Sequence, residues 1–139
     1  MKPTIVVVDA SVLVACLLKD GRARDVLLNH PEVQFVAPRF VLDELAASRS
    51  KLESKFRVPP SAFDAVMAQI RERVQVVAVH AYAAHREEAQ RRATKAQAWG
   101  DDEYVALAIA LDAPIWTYDD DFGRIEGVRR VTAAQIEEE

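Results

Sequence analysis

Ile5-Val6-Val7-Val8, four β-branched residues in an unbroken run, constrain this chain more than any other stretch. The run is too short to span a membrane and reads as a strand buried on both faces, the kind found in parallel sheets covered by helices. It follows Thr4 and stops on Asp9, with Ala10 and Ser11 behind it. In open α/β sheets ligands and chemistry sit beyond the carboxyl ends of strands, so an acid there is a candidate functional group. The plainer account is that Asp9 and Ser11 only cap the helix that follows. Three more acids at comparable places later in the chain favour the functional account.

At 139 residues the chain reads as a single domain, 1–139, large enough to bury a core unaided. Its formal charge of −4, from 18 basic and 22 acidic residues, argues against gripping nucleic acid by net charge alone. A polyanionic substrate would need the excess acid neutralised locally, most simply by metal ions. Cys16, the single cysteine, lies in the apolar run Val12–Leu18 and can build neither a disulfide framework nor a thiolate metal site. A reducing, cytoplasmic setting is expected. The start Met1-Lys2-Pro3-Thr4 leads into only a brief apolar run, so neither a signal peptide nor a membrane helix is expected.

In order along the chain, an apolar helix runs to Leu18 and ends by Lys19-Asp20-Gly21; an amphipathic one covers Arg22 to Asn29. Val33–Ala37 is a strand, and Pro38 leads into a helix from about Arg39 to Lys51. On that helix Phe40, Val41, Glu44, Ala47 and Ser48 share one face, which puts Glu44 on the apolar stripe, away from Asp43 and Arg49. A carboxylate turned that way is costly unless something ligates or pairs it; otherwise its stem covers apolar surface and its head reaches water. Lys51 to Val58 reads as a charged, irregular connector. Ser61 to Val74 is a clean helix whose stripe of Ala62, Phe63, Val66, Met67, Ile70 and Val74 is core or, less simply, a dimer face.

Gln75–Val79 is a short strand, and His80 to about Ala98 a helix whose Arg86, Arg91, Arg92 and Lys95 form a basic face. This face is solvated first and a possible phosphate contact second; His80 and His85 complete no metal-ligand spacing. Trp99-Gly100 breaks the helix, and Asp101-Asp102-Glu103 opens the next, through Leu111. Acids in a first turn complement the helix dipole without further purpose. Periodicity does not separate Asp101 from Asp102, since each precedes inward residues. Ile115-Trp116-Thr117 is a strand ending on Tyr118-Asp119-Asp120-Asp121, adjacent carboxylates that gain little as a turn and much beside a divalent cation. After Phe122-Gly123-Arg124, a weak strand covers Val128 to Val131 and Thr132 caps a final helix.

This alternation means an α/β fold: a parallel sheet of about four to five strands with helices on both faces. Asp9, Glu44, Asp101 and Asp119 can then converge on one edge. Carboxylates without His or Cys suit Mg2+ or Mn2+ rather than zinc, and such ions drive attack of water on a phosphodiester.

Four stretches resemble the PIN domain family, including the VapC-like ribonuclease toxins of bacterial toxin–antitoxin pairs. They are Val7-Val8-Asp9-Ala10-Ser11, Pro38 through Leu45, Asp101 through Ala108, and Ala113-Pro114-Ile115-Trp116-Thr117 with Asp119 and Asp121-Phe122. The resemblance covers essentially the whole chain and implies a three-layer α/β/α PIN-like fold. It implies that Asp9, Asp101 and Asp119 hold the metal, that Glu44 ligates or orients the attacking water, and that Ser11 and Thr117 support these acids by hydrogen bonds. Counting back from the last strand favours Asp101 over Asp102, and Asp121 is a further possible ligand. It also implies an RNA substrate, a homodimer, and inhibition by an antitoxin.

The main alternative is a nuclease-inactive PIN-like module that binds RNA or a protein. A phosphoaspartyl receiver would want a second acid beside Asp9 and a later strand-end Lys, where the chain has Ala10 and Thr117-Tyr118-Asp119. A dinucleotide site would want a Gly-rich first turn, yet Gly21 is the earliest glycine.

Overall fold

The computed structural model describes residues 2–138. The opening run forms strand β1 (Ile5–Val8), with Val6, Val7 and Val8 wholly buried. Helices α1 (Ala10–Leu18) and α2 (Arg22–Asn29) follow, then β2 (Gln34–Pro38), α3 (Phe40–Ala47), α4 (Arg49–Phe56), α5 (Pro60–Arg73) and β3 (Val74–Val77). The remainder is α6 (Arg86–Lys95), α7 (Asp102–Leu111), β4 (Ile115–Trp116), β5 (Arg130–Val131) and α8 (Ala133–Glu137).

All five strands are parallel, in the order β3-β2-β1-β4-β5. The chain winds outward from β1 through β2 to β3, then crosses to β4 on the other side. That reversal between β1 and β4 is the place where parallel sheets open a crevice at their carboxyl ends. Helices α1, α2 and α5 pack on one another, α6 packs along α7, and α7 lies against β1 and β2. This is the expected three-layer α/β/α arrangement.

Three expectations need correction. The helix expected over Arg39 to Lys51 breaks at Ser48, and the stretch expected to be an irregular connector is mostly helix α4. No α4 residue is fully buried; Arg49 anchors it instead, pairing with Glu53 and Asp64, donating to the Pro60 carbonyl at 3.1 Å and lying 5.0 Å above the Phe63 ring. The helix expected from His80 starts only at Arg86, after two 3-10 turns over Val79–Ala81 and Ala83–His85. Buried Tyr82 sits between those turns, and its hydroxyl donates to Glu103 of α7 at 3.1 Å, pinning a stretch that charge patterning alone marks as helix.

The third correction concerns α3, whose buried residues are Val41, Leu42 and Leu45. Glu44 is therefore exposed, not on the core stripe, because the helix turns Ala47 and Ser48 to solvent as well. In α5, Phe63, Val66, Met67 and Ile70 are buried, with α1 and α2 packed alongside, so its stripe is core and leaves no apolar face for a partner. Ala62 is exposed. Thr132 caps α8 in a full capping box with Gln135. No helix among the described residues is long and apolar enough to cross a membrane.

Candidate metal centre

Asp9 ends the first rung between β1 and β4: its N–H donates to the Trp116 carbonyl at 3.1 Å. Its own carbonyl accepts the Leu13 N–H at 3.3 Å and starts α1. The side chain does not cap that helix. It is buried and takes two hydroxyl donors on one oxygen, Thr117 Oγ1 at 2.6 Å and Ser11 Oγ at 2.8 Å onto Oδ2. Helix capping thus fails as the account of Asp9, because its carboxylate points its hydrogen-bonding capacity at the strand-end crevice.

The same two hydroxyls also fix the other strand end. Ser11 Oγ accepts the Tyr118 N–H at 3.0 Å, and Thr117 Oγ1 accepts the Asp119 N–H at 2.9 Å. Asp119 Oδ1 in turn accepts the Asp121 N–H at 2.9 Å, beginning the 3-10 helix Asp120–Arg124. The acidic stretch is therefore a folded turn with each acid in a defined place.

One carboxylate oxygen each from Asp101, Asp119 and Asp121 lies within 4.8 Å of the others. Asp101 occupies the position before α7 and its side chain makes no capping hydrogen bond, so capping does not account for it. Burial pushes the Asp101 carboxyl up to about 7, and the negative charges of Asp119, Asp9, Asp121 and Asp102 add to that push. Carboxylates gathered this tightly repel one another unless a proton or a cation intervenes. Three hard oxygen donors, with no His or Cys among them, form a set that fits a divalent ion such as Mg2+ or Mn2+.

Other expected residues lie around this group. Asp102 is the first residue of α7 and outside it. Glu44 is also outside, on exposed α3, although its charge is felt by Tyr104. Ser11 and Thr117 touch Asp9 as described.

Sequence reasoning missed Tyr104 and Arg124. Tyr104 is buried edge-on against Phe40 and Phe122, with ring centroids 5.7 and 6.1 Å away. Burial drives its phenol well above the ordinary range, and the Asp9 charge adds to the effect; the Ala10 backbone hydrogen bond opposes them. Its spacing of three from Asp101 along one helix face was the available signal. Arg124 pairs with Asp121 at 2.8 Å and donates to the Ala96 carbonyl at 3.2 Å. Its spacing of three from Asp121 was visible in the same way.

The sequence profile of PIN domains matches residues 7–139. The chain belongs to the PIN domain family. Among solved structures, this PIN domain is similar to VapBC2 from Rickettsia felis, captured bound to a DNA fragment from their promoter. The TM-score is 0.67 at 15% identity, over 92% of this chain and 98% of that one, a likeness of fold. No curated protein matches this PIN domain significantly in sequence.

Proposed function

We propose that this PIN domain is a divalent-metal-dependent endoribonuclease, the toxin of a toxin–antitoxin pair, acting as a homodimer in the cytoplasm. The observation that carries the reading is the gathering of Asp101, Asp119 and Asp121 within 4.8 Å at the switch point, beside buried Asp9. On this reading Asp9, Asp101 and Asp119 hold Mg2+ or Mn2+, with Asp121 as a further ligand. The ion supplies positive charge against the phosphodiester and makes the attacking water more acidic.

The chain's own groups do the rest. Thr117 and Ser11 hold the Asp9 carboxylate in one rotamer, a support that commonly governs how well a ligand performs. Glu44, exposed and unpaired by any described cation, orients the water and takes its proton. Tyr104, buried edge-on between Phe40 and Phe122, packs α7 against α3 and the acidic turn.

The VapC-like resemblance supports an antitoxin as partner. A cavity of about 300 Å3 offers it a seat, lined by Val14, Val41, Leu45, Leu52 and Phe56 together with Glu44, Lys51 and Lys55. An amphipathic segment with acidic flanks fits that lining.

Cleavage of a labelled RNA with Mn2+ tests the nuclease reading. Asp9→Asn is expected to abolish cleavage while circular dichroism and melting show an intact fold. Full activity in that variant would remove Asp9 from the site. A wild-type protein that binds Mn2+ and leaves every RNA uncut would instead be the inactive binding module.

A further inference from the structure

Beyond the acidic group lies a basic one that the proposed chemistry does not use. A cavity of about 320 Å3 between α6 and the turn after β4 is lined by Arg92, Lys95, Ala96, Arg124 and Glu126, among others. Its two guanidinium groups are fastened from behind. Arg92 Nε donates to Glu88 at 2.7 Å and its Nη1 to the Glu126 carbonyl at 3.3 Å. The fit over that turn is close: a Cβ on Gly127, where φ is +82°, would lie 2.6 Å from Arg92 Nη1. Arg124 is held by the Ala96 carbonyl and Asp121. Lys95 pairs with no acid among the described residues. The Glu126 carboxylate, exposed on the same turn, is the one negative group in the lining.

Arg124 touches both sites, since Asp121 belongs to the acidic group. The connector from α6 to α7 joins them a second time and carries the most exposed large apolar side chain described, Trp99, at 71%. This connector is not frayed. Ala98 is fully buried with its N–H on the Ala93 carbonyl at 2.9 Å, and Gly100, at φ +87°, turns the chain from Trp99 into Asp101. A folded turn therefore presents an indole to water two residues from a cluster acid. Clustered cations take backbone phosphates, and exposed aromatic faces take unpaired bases.

We propose that an unpaired RNA strand leaving the acidic group is held at this edge, with one backbone phosphate among Arg92, Lys95 and Arg124 and a base stacked on Trp99. The proposal rests on the nuclease reading for its substrate and adds to it the side chains that hold the RNA beside the acidic group.

Intrinsic fluorescence tests it, because Trp116 is wholly buried and a change on binding reports Trp99. With Ca2+ as the divalent ion, a single strand of about eight nucleotides is titrated against a duplex of the same sequence and against inorganic phosphate. The single strand is expected to quench the emission, and the duplex and phosphate to leave it unchanged. By anisotropy of a labelled strand, Trp99→Ala should bind about tenfold more weakly and Trp99→Phe nearly as wild type. Lys95→Ala should weaken binding of every sequence alike and lower the salt slope by about one. All three changes are at exposed positions, and melting curves check that the fold is kept. Equal quenching by duplex, or wild-type affinity in both alanine variants of a protein that cleaves RNA with Mn2+, overturns the proposal. Quenching by the single strand with no cleavage at all upholds this surface and overturns the nuclease reading instead.

Discussion

Two hydroxyl donors on one oxygen of Asp9 fix the rotamer of that acid without neutralising its charge. Thr117→Val removes the 2.6 Å donor and leaves a buried carboxylate short of a partner. The change should cost about 1–3 kcal/mol in denaturant unfolding and about 10- to 100-fold in metal affinity or RNA cleavage, with Thr117→Ser retaining most of both. Asp101 makes a prediction about pH. Its carboxyl is raised from the unfolded value to about 7, so the folded state favours the protonated form. Its contribution is most favourable below the unfolded pKa and is lost as pH rises toward 7. Thermal melts of metal-free protein should therefore show Asp101→Asn more stable than wild type at pH 8, with the gain gone at pH 4. Mn2+ at pH 8 should raise the wild-type melting temperature and leave that of Asp101→Asn nearly unmoved; an equal rise in both would remove Asp101 from the ion. At this scale the sequence was legible where chain order alone sufficed, as with an acid ending a strand. It was opaque for Asp101 against Asp102, because helical periodicity assigns both an inward neighbour and only the turn at Gly100 separates them.

Element by element, buried periodicity was the legible part and surface chemistry the hidden one. The strands β1 and β2 and the helices α2 and α5 follow their apolar spacing, whereas α4 has no buried stripe to read. Arg49 ties it to α5, a contact between residues that no local pattern links, while Leu52 packs partly against the core. Arg49→Met should thus strip amide-exchange protection from α4 while α5 keeps its own; unchanged protection in α4 would mean that its helix stands without the anchor. The turn at Gly127 is a second such junction. Gly127→Ala meets both a left-handed φ and the Arg92 guanidinium, and should destabilise the fold by about 1–3 kcal/mol in chemical unfolding. Short β4 and β5 were placed within a residue or two, yet the folded acidic turn between them was not, since hydroxyl-to-amide bonds shape it rather than apolar spacing.

Taken whole, the molecule carries a net charge of −4, gathers three carboxylates at the candidate metal centre and keeps Arg92, Lys95 and Arg124 to one side of it. RNA affinity should accordingly fall at least about tenfold when a chelator replaces Ca2+, because the uncompensated carboxylates repel phosphate. Equal affinity with and without the ion would show the strand binding elsewhere. Sheet order has a different consequence, one that concerns how the protein is made. β1 precedes every other strand along the chain, but it lies between β2 and β4, and Thr117, which donates to Asp9, follows it by 108 residues. A chain that stops before β4 holds Asp9 and Asp101 without Thr117, Asp119 and Asp121. On the proposed reading, cleavage therefore has to wait until β4 and the acidic turn behind it have been made and have closed against β1.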